Sequence, residues 1–290
     1  MAQIGVQAMM LKDEFDSAGP FETLRRVHDI GYRAVEVSQI PMTAENVAEL
    51  ARARSELGMN IAALSASLTM PPGGGESLTD DFEKIVADAR TLGASKIRIG
   101  MLPLDAMQSL EAVLAFCDRS EAMAKRLADE GIGLYYHNHH IEFRKYDGVY
   151  LLDIIADRAP AMGLEIDVHW VQRGGLDPVA TLRKYGGRVA MVHLKDYRIG
   201  ALPATALEAL AAGDSAAFSA AFAGVVQFAE VGEGTLDFPA IIAASQEIGA
   251  EFLLVEQDDR YGRTPLECLQ TSYDNLVGMG FGGLFETAGR

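Results

Sequence analysis

The stretch LYYHNHHIEF, residues 134–143, concentrates side chains that can bind metals or move protons. It contains three of the chain's six histidines, His137, His139 and His140, and Glu142 follows two residues later. Imidazole nitrogens and carboxylate oxygens bind divalent metals, and histidine is also the most frequent general acid or base. The stretch therefore indicates either one wall of a metal site or a polar loop that happens to be rich in histidine.

Three further candidate ligands, Asp167, His193 and Glu256, stand at the ends of short runs of β-forming residues. Side chains alternate between the two faces of a strand, so Lys195 shares the face of His193. If the three faces point inward, the strands bring the candidates to one point. A cation there would neutralise both carboxylates, and neutral imidazole would complete a set suited to Mn²⁺, Mg²⁺, Co²⁺ or Fe²⁺ and tolerant of Zn²⁺. Taken singly, each residue has a structural alternative, such as a helix cap or a satisfied barrel histidine.

The elements that position these residues form a repeating pattern of strand and helix. Eight β-like runs recur, each followed by an amphipathic stretch in which apolar residues are spaced three and four apart. They occupy residues 3–9, 33–38, 60–66, 96–100, 133–137, 163–167, 188–194 and 252–256. This repeat predicts a (β/α)8 TIM barrel, whose active sites lie at the carboxyl ends of the strands.

Two segments depart from the regular repeat. An alanine-rich insert at about 197–229 follows the seventh strand and predicts one or two additional surface helices, with a lid or a subunit contact as the alternative. The stretch MPPGGGES, residues 70–77, follows the third strand. It indicates a mobile loop at the mouth of the barrel or a plain flexible connection.

Length and composition favour one soluble domain spanning residues 1–290. The chain is 49% hydrophobic, which suffices for a large core, and no linker-like change of composition divides it. No apolar run approaches the roughly 20 residues that cross a bilayer. The amino terminus lacks a basic region and a cleavage signal, and is expected to form the first strand. Only two cysteines are present, which predicts no disulfide framework and fits a reducing cytoplasm.

The charge of the chain restricts its partners. The formal net charge is −16, and the 25 lysines and arginines are scattered along the sequence. Nucleic acid is a dense line of negative charge, so this balance argues against it as a partner. The same repulsion weakly disfavours a multiply phosphorylated substrate.

Four stretches taken together resemble the xylose isomerase-like superfamily of TIM barrels. They are YYHNHHIEF, EIDVHWVQRGGLDPVATLRKYGGRVAMVHLKD, AEVGEGTLDFPAII and LLVEQD. The superfamily includes sugar isomerases, tagatose 3-epimerase and relatives of inosose dehydratase, and this chain resembles a branch with an HNHxxEF motif. The resemblance covers nearly the whole chain apart from the alanine-rich insert.

The resemblance implies one divalent metal ion, Mn²⁺ first among the candidates, held by a Glu, an Asp, a His and a second Glu on strands five to eight. Asp167, His193 and Glu256 match the last three. Many relatives carry the first glutamate at the end of strand five, where this chain has His137. We expect Glu142 to reach back to the metal, with His137 as the alternative ligand. The resemblance also implies a homo-oligomer, a dimer or a tetramer.

The family chemistry, proton transfer next to a carbonyl, implies roles for the remaining residues. Glu256 is expected to be a ligand and the base, with a purely ligating role as the alternative. Glu142 and His139 are further acid–base candidates, although His139 could instead contact the substrate or support a ligand. Lys195 is expected to donate to a sugar oxygen, or to form a structural salt bridge. The expected substrate contacts are His137, Trp170, His169 and Arg173.

The leading hypothesis is a sugar isomerase or epimerase that acts on an unphosphorylated keto sugar. A lyase acting on inosose or on 3-keto-glycosides is the close alternative, since the same site could eliminate a β-substituent after removing the α-proton. A nuclease related to endonuclease IV is disfavoured by the charge and by Trp170, which stands where a further metal histidine would be needed. A sugar-binding barrel without chemistry is the remaining alternative.

Overall fold

Eight parallel strands form a closed barrel in the computed structural model, which describes residues 2–286. Each strand pairs with its neighbours in sequence, and the eighth closes the ring against the first. The strands are β1 (Gln3–Gln7), β2 (Ala34–Val37), β3 (Asn60–Ser65), β4 (Lys96–Ile99), β5 (Gly133–His137), β6 (Gly163–Asp167), β7 (Val189–Leu194) and β8 (Phe252–Val255). Every run predicted from the sequence contains one of them, so the predicted (β/α)8 barrel is confirmed.

Twelve α-helices lie among the described residues and pack around the barrel. They are α1 (Lys12–Ala18), α2 (Pro20–Ile30), α3 (Ala44–Leu57), α4 (Phe82–Leu92), α5 (Leu110–Asp129), α6 (Leu151–Arg158), α7 (Val168–Arg173), α8 (Pro178–Tyr185), α9 (Ala204–Ala211), α10 (Ser215–Ala223), α11 (Phe238–Glu247) and α12 (Pro265–Gly278). Local signals set their ends: Asp177 caps α8 by accepting from the Ala180 N–H, with proline at the first helical position.

The strands are buried on both faces, which is why their sequences are apolar almost throughout. In β6, Leu164 and Ile166 join the large core between strands and helices, while Glu165 and Asp167 face the barrel interior and are also buried. Register places Asp167 beside His193 on β7, and His193 beside Leu254 on β8. The alternation along neighbouring strands thus carries polar groups into the interior at matching heights.

The insert after β7 contains the predicted surface helices, α9 and α10, and also a feature that was not predicted. Two short antiparallel strands, Asp196–Ile199 and Val226–Ala229, flank the helix pair and form a hairpin. Among the residues of α9 and α10, Ala206 alone is buried. The alternative roles of the insert, a lid or a subunit contact, stay predictions.

Two further sequence expectations concern membranes and thiols. Within residues 2–286, no helix is both long enough and apolar enough to cross a bilayer. Cys117 and Cys268 are both buried and free.

Candidate metal centre and active site

Four side chains from β5 to β8 converge at the carboxyl end of the barrel. His137, Asp167, His193 and Glu256 each offer one ligand atom, all within 4.8 Å of one another, and all four residues are buried. His193 Nδ1 is 2.8 Å from the Glu256 oxygen and 3.1 Å from His137 Nε2. His137 Nε2 is 3.5 Å from the Asp167 oxygen. We call these four residues the ligand group.

Asp167 has one oxygen engaged by the protein and one that is not. Its Oδ1 accepts the Trp170 N–H at the start of α7, and its own N–H donates to the Asn138 side-chain oxygen. Its Oδ2, which belongs to the ligand group, is buried without a hydrogen-bond partner. Its nearest cation, the Lys195 ammonium at 3.4 Å, is shared with two other carboxylates, so a bound metal ion would stabilise this buried oxygen further. The nitrogen and oxygen donors around it fit a divalent transition metal.

The His193 ring is fixed by carboxylates on its far side. Its Nε2 is 3.1 Å from Oε2 of Glu36 and 3.2 Å from Oε1 of Glu165. Because the far nitrogen is held in this way, Nδ1 is the nitrogen presented to the ligand group. Metal-binding histidines usually have such a carboxylate or carbonyl partner on the second nitrogen.

A second set of buried charges, Glu36, Arg98 and Glu165, lies one layer deeper in the barrel; we call it the arginine group. Arg98 Nε is 2.6 Å from Glu36 Oε1 and 3.4 Å from Glu165 Oε2. Burial raises the pKa of Glu36, but Arg98 and His193 outweigh burial and hold that pKa below its usual value. Burial and the neighbouring Glu36 raise the pKa of Glu165 to about 8.

The Lys195 ammonium is 1% exposed and lies beside the carboxylates of the ligand group. It is 2.9 Å from Glu256 Oε2, 3.4 Å from Asp167 Oδ2 and 3.0 Å from Asp258 Oδ1. Burial lowers the pKa of Lys195, but these carboxylates, Glu256 foremost, more than reverse the effect and raise it. Lys195 is therefore a fixed positive donor at the edge of the site.

The structure does not bring Glu142 to the ligand group and brings its alternative, His137, there instead. The short 3-10 helix Ile141–Phe143 turns Glu142 back onto the strand, where it accepts the Tyr136 hydroxyl at 2.6 Å and the His139 N–H at 2.8 Å. Tyr136 alternates with His137 and packs against Phe116 of α5. Glu142 consequently lies between strand and helix, outside the barrel interior.

Aromatic and imidazole rings pack around Lys195 and His139, although the expected substrate contacts Trp170 and His169 are not part of the cavity lining. Trp170 lies 5.4 Å from His139 between ring centroids, and the Lys195 ammonium is 5.2 Å from the centre of the indole ring. His169 is buried behind Trp170 and stacks on Phe228 of the insert hairpin at 4.9 Å. Burial lowers the pKa of His139 and of His169 to about 4 in each case. Arg173, at the end of α7, is exposed and does not join the expected substrate contacts.

The insert hairpin is held to the barrel by one buried carboxylate, Asp196. It accepts backbone N–H groups of Tyr197, Gly232, Gly234, Thr235 and Leu236. A Cβ at Gly234 would lie 2.2 Å from its Oδ1, so only glycine fits there. Residues 193–196 (HLKD) and 231–234 (VGEG) therefore form one structural contact through Asp196. Glu233, in the second of these segments, pairs at the surface with Arg198 and Arg263.

A cavity of 1340 Å³ opens over the ligand group at the carboxyl end of the barrel. Its inner end is lined by His137, His139, Lys195, Glu256 and Asp258. The rest of its lining comes from β1 to β4 and the segments that follow them, including much of the glycine-rich stretch 70–77. That stretch therefore borders the mouth of the site, as one of its two interpretations predicted.

Three functional candidates, Glu36, Arg98 and Asp258, were missed from the sequence. Glu36 and Arg98 are single charges inside the otherwise apolar runs RAVEVS and KIRIG, and such a charge must find a buried partner. That signal was available. Asp258 lies two residues beyond Glu256, on the same face by strand alternation.

One known protein is similar in sequence to about half of this chain. A rhizopine catabolism protein, MocC, from Rhizobium meliloti is 30% identical over 162 residues, which are 54% of this chain and 46% of that protein. The match thus spans about half the length of the curated relative.

Solved structures share the fold across nearly the whole chain. A sugar phosphate isomerase/epimerase from Parabacteroides distasonis is 21% identical with a TM-score of 0.72, covering 97% of this chain and 99% of that one. A probable 3-DHS dehydratase, AsbF, from Bacillus anthracis is 13% identical with a TM-score of 0.65, covering 96% and 99%. Residues 24–273 match the family model described as the xylose isomerase-like TIM barrel. The chain therefore belongs to the xylose isomerase-like TIM barrel family.

Proposed function

We propose that this protein is a divalent-metal-dependent sugar isomerase or epimerase that moves a proton next to the carbonyl of an unphosphorylated keto sugar. The observation that carries the proposal is the ligand group, whose Asp167 Oδ2 is buried without a hydrogen-bond partner beneath a large open cavity. Family membership supports sugar chemistry as the context.

The metal would be held by His137, Asp167, His193 and Glu256. Two imidazoles and two carboxylates accommodate Mn²⁺, our first candidate, and also Fe²⁺, Co²⁺ or Zn²⁺. When bound, such an ion supplies a Lewis acid that polarises a carbonyl oxygen. The expectation that Glu142 is a ligand is not retained, because its two oxygens are occupied by Tyr136 and the His139 N–H.

The protein's own groups would move and guide the proton. Glu256 lines the cavity, and its pKa, which burial alone would raise, is held well below the usual value by Lys195 and His193. It is therefore an ionised carboxylate that can take a proton from the substrate. The Lys195 ammonium, 2.9 Å from Glu256, would donate to a sugar oxygen. His139 lines the cavity, its Nδ1 is buried without a hydrogen-bond partner, and it is the candidate for returning the proton.

The charges of the cavity support an unphosphorylated substrate. Each lysine or arginine in its lining is already within 3.0 Å of a carboxylate: Lys84 with Glu76, Arg98 with Glu36, and Lys195 with Glu256. A phosphate would have to displace one of these partners. A neutral sugar needs no such exchange.

The test is product analysis with metal-depleted protein that has been reloaded with Mn²⁺. The expected result is an isomer of unchanged mass from a keto sugar, with exchange of one carbon-bound hydrogen for deuterium in heavy water. The proposal fails if the depleted and reloaded proteins give the same rate. Sugar binding without turnover in either form would indicate a non-catalytic barrel.

A lyase is the second candidate, and the residue at the end of β5 favours it. That residue is His137, whereas the resemblance implies a glutamate base in the epimerases. Epimerisation needs groups on both faces of the reacting carbon, while elimination needs one base and one acid for the leaving group. Glu256 and His139 would supply that pair. The lyase would convert a 3-keto-glycoside or an inosose to an enone, and the appearance of ultraviolet absorption would separate it from the isomerase.

A further inference from the structure

The outer half of the cavity is open to solvent and carries a group of exposed apolar side chains. Met70, Met101 and Leu104, which follow β3 and β4, are 59%, 47% and 60% exposed and all line it. Large apolar side chains exposed together at the mouth of a cavity mark a surface that receives a ligand. The volume of 1340 Å³ also exceeds the roughly 300–1,000 Å³ that is usual for small-molecule sites. The cavity therefore has room for more than one small polar molecule.

Four methionines and four prolines supply much of the apolar part of this outer lining, beside polar side chains such as Thr69 and Lys84. Besides Met70 and Met101, the lining includes Met9, Met42, Pro41, Pro71, Pro72 and Pro103. Thioethers are flexible and make favourable contacts with aromatic rings. Among the residues that the structure describes, no phenylalanine, tyrosine or tryptophan is part of this lining. An aromatic or similar apolar ring supplied by the ligand is thus the complementary partner.

The inner end of the same cavity has the opposite character. His137, Lys195, Glu256 and Asp258 present charged and hydrogen-bonding groups within a few ångströms of one another. A ligand that is polar throughout would leave the exposed side chains of Met70, Met101 and Leu104 uncovered. A fully apolar ligand would bury the polar groups of the inner end without partners, at a cost in free energy. The two ends together require a ligand with one polar and one apolar part.

We propose that the substrate is a keto glycoside that carries an apolar, ring-sized aglycone, with the outer half of the cavity as the aglycone subsite. The sugar carbonyl lies at the ligand group and the aglycone lies against Met70, Met101 and Leu104. The sugar half of this assignment rests on the proposed function, whereas the aglycone half rests on the lining of the cavity.

The experiment measures binding without turnover, by titration calorimetry with matched methyl and phenyl glycosides of glucose, galactose and xylose. The phenyl member of at least one pair is expected to bind about tenfold or more tightly, because burial of a ring removes apolar surface from water. The double variant Met101→Ser/Leu104→Ser should abolish most of this ratio and leave the affinity for the methyl glycoside unchanged. Leu207→Ser is the matched control, since Leu207 is 61% exposed on α9 and does not line the cavity.

Equal affinities within every pair, or no binding of any phenyl glycoside, would overturn the proposal. The proposal would also be overturned if the double variant changed the sedimentation coefficient but kept the ratio of phenyl to methyl affinity. The outer half of the cavity would then be covered by a second copy of the chain. A phenyl preference in protein that neither holds metal nor turns over keto sugars would support the subsite while the proposed function fails. Metal-dependent turnover of keto sugars without a phenyl preference would support the proposed function and overturn the aglycone subsite.

Discussion

Two groups of buried charge share His193, and the protein neutralises them differently. In the arginine group, Arg98 lies against both carboxylates, Glu36 and Glu165, and the set contains its own cation. In the ligand group, Lys195 contacts Asp167 and Glu256 but is shared with Asp258, and Asp167 Oδ2 is left without a hydrogen-bond partner. Glu36 Oε1 and both Glu165 oxygens also lack hydrogen-bond partners, so the deeper layer differs in having Arg98 as a permanent cation. The ligand group differs in that His137 and Glu256 line the cavity, which gives an added cation access.

A third buried carboxylate shows that an added cation is not the only solution. Asp196 is satisfied by backbone N–H groups of the loop that follows the hairpin, so its negative charge needs no positive partner. Burial raises its pKa, and these donors oppose the rise. The three cases differ in what faces the oxygen atoms: a guanidinium, backbone amides, or histidines and a lysine ammonium shared among several carboxylates.

The largest effect is expected for the base of the ligand group. Glu256→Gln removes the carboxylate that faces the cavity, and activity should fall by about 10²–10⁴-fold, the usual contribution of a positioned acid or base. The fold should persist, because the amide keeps the shape of the side chain. Steady-state kinetics and thermal unfolding measure the two effects. Glu247→Gln, at an exposed ion pair with Arg183, is the control. Full activity in Glu256→Gln would remove the catalytic assignment.

Removal of the guanidinium from the arginine group should lower the stability of the fold. Arg98→Met would leave Glu36 and Glu165 buried without their cation, and the free energy of unfolding should fall by about 3–5 kcal/mol. Arg183→Met, which breaks an exposed pair, should cost no more than about 1 kcal/mol. Urea unfolding of both variants measures the difference. Equal stability of the two variants would show that the deeper layer is not held by its arginine.

The next effect separates the two candidate ligands on the fifth strand and its loop. His137→Gln should weaken metal binding by about 10-fold to 100-fold or more, a loss at least as large as those seen for residues that only support a ligand. Glu142→Gln should leave metal affinity nearly unchanged, because Glu142 is bound to Tyr136 and the His139 N–H. Competition with a chelating dye measures both affinities. The reverse order would restore Glu142 as the ligand.

The smallest effect is expected at the carboxylate that needs no cation. Asp196→Asn keeps one acceptor oxygen and replaces the other with an NH₂ group that faces backbone donors. The loss of those hydrogen bonds should lower the free energy of unfolding by about 1–3 kcal/mol without changing metal content. Differential scanning calorimetry and elemental analysis measure the two quantities. A loss of bound metal in Asp196→Asn would show that Asp196 supports the ligand group, and that the two regions are not independent.

The fold was predictable because its signal is repeated along the chain. Each barrel strand is a short β-branched run before a helical stretch, and eight repeats leave one architecture. The insert hairpin was not predictable in the same way. Its second strand, Val226–Ala229, is four residues long and follows an alanine-rich helix, so neither alternation nor composition distinguishes it.

The site was predictable where strand parity decides it. Asp167 and His193 are register partners, and Glu256 lies on the same face two residues beyond the register partner of His193, so strand alternation predicts that the three side chains meet. Arg98 and Glu36 meet across the barrel from strands that are not neighbours, which no local pattern reveals. The choice between His137 and Glu142 depended on the direction of a short loop. The Tyr136 hydroxyl, on the outer face of the strand, turns that loop away from the interior.

The most direct test of a metal-dependent site is the metal content of the purified protein, measured together with its activity. We predict about one divalent ion per chain in the wild type. A chelator should remove both the metal and the activity, and Mn²⁺ should restore both. Asp167→Asn should fold and hold far less metal. Unchanged activity on keto sugars after complete removal of the metal would contradict the proposal of a metal-dependent site.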